Sequence, residues 1–263
     1  MASRSVYDCF TFFNELELLE LRMNVLNDYV DYFVLVESTH SFTGNKKELF
    51  YDKNKHTFDS SKIIHIVVDD MPQKKKTNNY DIAHNNEVFQ RNCISRGLTK
   101  AKPDDIIIIS DVDEIPDPDL IRNNEKILKR KISFSLKMKL FYFYVNYMNI
   151  NNWGGSVICE YRNMRLPQKM RGKRNRRGIN NGGWHYSYLG GIENVKFKVE
   201  NYAMTNLNIE KYINEDNIRH SLKTGDDLFK RKRMNSRIVD INGNSPKCMN
   251  DFIIKHPHLI KCF

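Results

Sequence analysis

The chain has 263 residues, of which 40% are hydrophobic, 11% aromatic and 28% charged, a balance that builds one large domain and argues against wholesale disorder. No apolar run approaches the roughly 18 residues of a membrane span, and the N-terminus runs straight into a strand-like segment with no room for a secretory signal, so a soluble, cytoplasmic protein is expected. The net charge is +10, but seven cations crowd between Arg165 and Arg177 (Arg165, Lys169, Arg171, Lys173, Arg174, Arg176 and Arg177) without one carboxylate, which makes the basicity a local feature rather than a general nucleic-acid footprint.

Val6 to Phe13 is β-branched and aromatic and predicts a first buried strand. Asn14 can cap the helix that follows, with Glu15, Glu17 and Glu20 near its positive end and Leu18, Leu19, Leu21, Val25 and Leu26 at helical spacing. Tyr32 to Val36 and Ile63 to Val68 predict the next two strands, ending at Glu37-Ser38 and Asp69-Asp70. A helix is predicted from Asn85 to Gly97, with Gly97 as its stop, and a fourth strand over Ile106 to Ile109. Strand-helix alternation of this kind predicts an α/β fold, a mostly parallel central sheet flanked by helices, with ligands beyond the carboxyl ends of the strands. Further on, Phe134 to Tyr147 is dense in aromatics and strand-like, Trp153-Gly154-Gly155 and Asn180 to Gly183 are turn-rich, and Glu210 to Phe263 predicts a helical C-terminal part. Cys9, Cys93, Cys159, Cys248 and Cys262 are scattered, odd in number and lack C-x-x-C spacing, so neither a zinc site nor a disulfide framework is expected.

Asp111 and Asp113 follow the fourth strand two residues apart, and in extended backbone both project from one face. Two hard oxygen donors on a rigid strand end suit Mn²⁺ or Mg²⁺, with diphosphate oxygens completing the shell. A departing diphosphate needs such neutralisation, so Asp111-Val112-Asp113 is a candidate grip for a nucleotide-sugar donor. D-x-D alone is weak, since Asp117 and Asp119 form another; the apolar strand before it and Glu114-Ile115-Pro116 after it give it context. No G-x-x-x-x-G-K-[ST], G-x-G-x-x-G or H-E-x-x-H occurs. The rival is a haloacid-dehalogenase-like phosphatase with Asp111 as nucleophile and Asp113 as general acid, although that fold normally opens with this strand. Nucleic-acid binding through the basic cluster stands third, since no accompanying motif supports it.

Together, YDCFTFFNELELLELRMNVL, VDYFVLVESTHSFTG, DDIIIISDVDEIP, GGWHYSYLGG and IRHSLKTG resemble glycosyltransferase family 17, the β-1,4-mannosyl-glycoprotein β-1,4-N-acetylglucosaminyltransferases, from Tyr7 to about Leu259. The resemblance implies a GT-A-type fold, UDP-N-acetylglucosamine as donor, a glycan or glycoprotein acceptor and inversion at the anomeric carbon. It places Asp111 and Asp113 on the family's D-x-D, Asn14-Glu15 and Glu37 on its first and second strand segments, and His185 on its Gly-Trp-His. Glu193 matches a glutamate shortly after, and Arg219 and Thr224-Gly225 its late Ile-Arg…Thr-Gly. His185 is then either a third metal ligand or a hydrogen-bonded core histidine, Gly182 and Gly183 before it allowing close approach to a ligand. Gln90 and Arg91, on the helix before the D-x-D strand, are candidates to reach a phosphate or the uracil edge. Tyr142, Tyr144, Tyr147 and Trp153 could floor an acceptor site. A single displacement needs a base in the acceptor-binding half, where Glu193 is the first candidate and Asp227 and Asp226 the next. One domain over 1–263 is expected, 1–118 binding the nucleotide-sugar and 119–263 the acceptor.

Overall fold

Alternation along the first strands decides the layering. The computed structural model describes residues 4–72, 79–123, 133–172, 178–201, 209–232 and 234–262. Strands β1 (Val6–Phe12), β2 (Tyr32–Ser38), β3 (Ile63–Val68) and β4 (Ile106–Asp111) lie in the order β3-β2-β1-β4, all parallel. Phe10, Phe12, Phe33, Leu35, Ile106 and Ile108 face one side, where helix α1 (Leu16–Leu26) packs. Cys9, Val34, Val36, Ile107 and Ile109 face the other, covered by Phe89, Cys93, Ile94 and Leu98. A sheet covered on both faces requires the unbroken apolar runs that mark these strands in the sequence.

Local details depart from expectation. Asn14 does not cap α1; Glu15 precedes the helix, and its carboxylate accepts the Phe13 and Asn14 amides at 3.3 and 3.2 Å. A short α2 (Phe50–Asn54) separates β2 from β3. The helix expected over 85–97 is α3 (Asn79–Asn92), continued by a 3₁₀ turn over Cys93–Leu98 that contains Gly97.

The later strands are mixed in direction. They are β5 (Glu114–Pro116), β6 (Ser133–Tyr142), β7 (Tyr147–Glu160), β8 (Gly178–Ile179), β9 (Gly183–Ser187) and β10 (Ser236–Ile238). The sheet continues β4-β7-β6-β9-β5, with β10 on β7 and β8 on β6. Only Val112 and Asp113 separate β4 from β5 in the chain, yet β5 lies at the end of that path, so the sheet must curl back on itself at the D-x-D turn. Trp153-Gly154-Gly155 is not a turn but the middle of β7, paired with Met138 and Lys137 of β6.

The remaining helices among the described residues are α4 (Pro118–Arg122), α5 (Pro167–Arg171), α6 (Gly191–Asn201), α7 (Ile209–Ile213), α8 (Glu215–Thr224) and α9 (Met249–Lys255). Val195 and Val199 of α6 and Ile218 and Leu222 of α8 cover Leu140, Tyr142 and Tyr147. The C-terminal part is only partly helical, because β10 and turns intervene before α9. Beyond β10 the chain returns to α1: Met249, Phe252 and Leu259 join its apolar cluster. There, Lys255 and His256 meet Glu20 at 2.8 and 3.0 Å, and His258 meets Glu17 at 2.9 Å. All five cysteines are unbridged, and among the described residues no helix is long and apolar enough to cross a membrane.

Candidate active site

The D-x-D turn rests on a buried cation. Arg22 sits on the apolar face of α1, fully buried, against the equally buried Asp8 of β1, with contacts of 2.6 and 2.7 Å. Its guanidinium also donates to the backbone carbonyls of Asp111, Val112 and Glu114 (3.1, 3.1 and 2.7 Å) and to Ser110 Oγ (2.9 Å). A planar fork of five N–H groups can serve several acceptors at once. Here one side chain pairs a buried carboxylate and satisfies three carbonyls at the D-x-D turn.

Above this floor the two aspartates diverge. Asp111 faces Thr11 across the β1–β4 register, and Thr11 Oγ1 donates to its Oδ1 at 3.1 Å. Arg91 of α3 reaches the same oxygen at 2.9 Å, and Arg171 of α5 reaches Oδ2 at 2.9 Å. Asp113 turns to the other wall, where Lys198 of α6 lies 2.8 Å and His185 Nε2 3.5 Å from its Oδ2. Burial alone would raise the Asp113 carboxyl, but Lys198 and His185 hold it well below the usual carboxylate range. Burial likewise opposes the Lys198 charge, yet Asp113 and Glu15, the latter 3.3 Å away, hold the ammonium well above an ordinary lysine. Glu114 ties the walls together, accepting from Arg171 at 2.7 and 2.9 Å and from Trp153 Nε1 at 2.7 Å.

Asp111, Val112, Asp113, Glu15, Gln90, Arg91 and His185 all line one cavity of about 520 Å³, at the point where the strand order turns from β3-β2-β1 to β4. Such switch points are where open α/β sheets take ligands. Gln90 also closes the floor, donating to the Phe12 and Val36 carbonyls at 3.3 and 3.0 Å. Tyr142 and Trp153 line the same cavity, whereas Tyr147 packs in the α6–α8 cluster with Tyr144 against it.

Other expected residues lie elsewhere. Glu37 is buried outside the cavity lining, with the Tyr51 amide, Lys47 and His65 at 3.2, 3.5 and 3.3 Å, and Asn14 does not line the cavity. Glu193 is exposed on the first turn of α6. Asp226 meets His220 and Asn235 at 3.0 and 2.9 Å. Asp227 is buried and holds Arg231 and the Phe229 amide. None of these three carboxylates lines the cavity, although Arg231 does. Gly182 and Gly183 serve the protein's own packing rather than a ligand: a Cβ on Gly182 would lie 2.7 Å from Lys137 N, and one on Gly183, at φ +130°, 2.1 Å from Ile115 O. Within the basic stretch, Arg165 and Lys169 are exposed while Arg171 is buried in the site; Lys173, Arg174, Arg176 and Arg177 lie outside the described residues.

A family model for glycosyltransferase family 17 matches residues 1–235. The chain belongs to glycosyltransferase family 17. That membership speaks against the phosphatase reading of Asp111. This family 17 chain is 30% identical over 118 residues to the β-1,4-mannosyl-glycoprotein 4-β-N-acetylglucosaminyltransferases of Rattus norvegicus and Homo sapiens. The match covers 43% of this chain and 22% of each of those proteins. A crystal structure of 4-diphosphocytidyl-2C-methyl-D-erythritol synthase superposes with a TM-score of 0.37 at 12% identity, over 69% of this chain and 90% of that one, a likeness too low to carry an argument.

Proposed function

We propose that the protein transfers N-acetylglucosamine from UDP-N-acetylglucosamine to a hydroxyl of a glycan or glycoprotein, with inversion, on a GT-A-type fold. The observation that carries this reading is the Asp111-Val112-Asp113 turn at the carboxyl end of β4, opening into the switch-point cavity. Residues 1–118 are assigned to the donor and 119–263 to the acceptor, whose sugars would meet Tyr142 and Trp153 on the cavity wall. In the transfer, the acceptor oxygen bonds to the anomeric carbon as the bond to diphosphate breaks. The electron pair leaves on the diphosphate, and the hydroxyl proton passes to a base. Of Glu193, Asp226 and Asp227, only Asp227 holds a cavity-lining group, the Arg231 guanidinium.

The donor set fits Mn²⁺ or Mg²⁺. Small divalent cations are commonly held by one or two carboxylates together with substrate phosphates, and Asp111 and Asp113 supply two carboxylates on one cavity. His185, expected as a third ligand, stands beside Asp113 with its Nε2 3.5 Å from Oδ2, and its Nδ1 is buried without a hydrogen-bond partner. Among the described residues no group of three His, Cys, Asp or Glu is arranged to hold an ion, so in this reading phosphate oxygens complete the shell. The ion would neutralise charge on the leaving diphosphate. Calorimetry tests the proposal: UDP should bind more tightly with Mn²⁺ in the wild type, and Asp113→Ala should lose that enhancement together with transfer. Equal UDP affinity with and without metal in the wild type would refute metal dependence.

A further inference from the structure

The cations that touch the two D-x-D aspartates are of two mechanical kinds. Arg91 is buried and divides its guanidinium among Gln168 (2.6 Å), Glu87 (2.8 Å) and Asp111 (2.9 Å). Arg171, equally buried, is shared among Glu114, Asp111 and the Gly155 carbonyl. Neither fork can swing toward a ligand without breaking several buried hydrogen bonds at once. Lys198 differs: a single Nζ on a four-carbon stem touches Asp113 at 2.8 Å and Glu15 at 3.3 Å, and its side chain keeps 17% exposure on the cavity wall. Ammonium groups are compact point charges with rotatable donors, and this one can change partners while its backbone stays still.

The backbone is well held. Val195 and Val199 bury the inner face of α6. Phe197, next to Lys198, stacks on Phe13 at the end of β1, with ring centroids 5.5 Å apart. Helix α6 therefore joins the acceptor half to the donor half beside the D-x-D turn, with Lys198 as its inward charge.

We propose that Lys198 is the cation that takes hold of the donor's diphosphate, exchanging the Asp113 carboxylate for a phosphate oxygen when the donor enters. The proposal rests on the nucleotide-sugar reading above and adds a residue to it. Lys198 gains and loses no proton and forms no covalent bond. Its charge stands where the electron pair arrives as the sugar departs, which is where a fixed cation lowers the barrier most. Asp113 and Glu15 act as its resting partners, keeping the ammonium inside the cavity in the absence of donor.

Titration calorimetry with inorganic pyrophosphate, UDP and uridine tests this in wild type, Lys198→Met and Glu15→Gln. Lys198→Met is expected to weaken pyrophosphate and UDP by about tenfold or more, the scale of a charge-assisted hydrogen bond, and to leave uridine unchanged. Glu15→Gln removes one competitor for the ammonium and should tighten pyrophosphate and UDP. Undiminished pyrophosphate and UDP binding in Lys198→Met overturns the proposal, as does an equal loss of uridine, which marks a structural role. If Lys198→Met does not fold, Glu15→Gln decides alone, and unchanged or weaker pyrophosphate binding overturns it. Pyrophosphate binding that needs Lys198, in a protein indifferent to uridine and UDP, would sink the uridine donor and leave Lys198 standing.

Discussion

On one side of the cavity Thr11, Arg91 and Arg171 hold Asp111; on the other, His185 and Lys198 hold Asp113. The two carboxylates are two residues apart, yet the first is fixed by rigid guanidiniums and the second by a swivelling ammonium. The Asp111 side is an extension of the core, built on parallel strands with Arg22 beneath. The Asp113 side is carried by a mixed-direction strand and a single helix, and its charges keep a choice of partner. A site that must both stay in shape and let a substrate in can divide those duties between its walls, one wall rigid and the other free to exchange contacts.

Breaking the rigid side should cost stability first. Arg22→Met leaves Asp8 buried without its partner and strips three carbonyls of a donor; a loss of about 3–5 kcal/mol is expected, the scale for breaking a buried ion pair. Chemical denaturation measures it, and a loss below about 1 kcal/mol would mean that the turn holds itself. Glu114→Gln should cost less, about 1–3 kcal/mol, because Arg171 keeps Asp111 while losing its other carboxylate. Its tryptophan emission should also shift, since Trp153 Nε1 donates to Glu114.

Acid sharpens the contrast on the other side. The Asp113 carboxyl is depressed in the folded protein, so its pairing stabilises above the unfolded carboxylate value near about 3.9. That contribution is lost as pH falls further, through the lower folded value. The gap in urea midpoint between wild type and Asp113→Asn should close as pH falls below about 4; a gap that persists undiminished in acid contradicts the pairing. The smallest effect is expected at Glu193. Exposed and away from the cavity lining, Glu193→Gln should keep turnover within about twofold, against the roughly 10²–10⁴-fold loss that marks a general base. A large loss would show that α6 turns inward when substrates bind.

Much of the Asp111 side is legible in sequence because its information is local. Val6 to Phe12 and Ile106 to Ile109 announce themselves as strands by composition, and D-x-D follows directly. Arg22 also leaves a trace, though a fainter one: a cation at helical spacing within Leu18, Leu19, Val25 and Leu26, and an aspartate at position 8 inside an apolar strand. Two opposite charges in two apolar stripes predict each other. Lys198 and Arg171 leave none, lying 85 and 60 residues from the aspartates they meet. Arg171 is hidden in a run of cations that looks solvated, and Trp153-Gly154-Gly155 reads as a turn because glycine pairs usually mark turns. Long-range pairing in β7 overrides that local preference.

The return of the chain's last described residues to α1 bears on where this protein can be cut. The family match stops at residue 235, but Met249, Phe252 and Leu259 lie in the same apolar cluster as the leucines of α1. Helix α1 in turn carries Arg22 beneath the D-x-D turn. The end of the family match is therefore not a boundary of cooperative unfolding. A chain ended at residue 235 would bare one flank of α1 and loosen the prop under the aspartates, so damage more than a hundred residues downstream of the D-x-D turn would register in that turn.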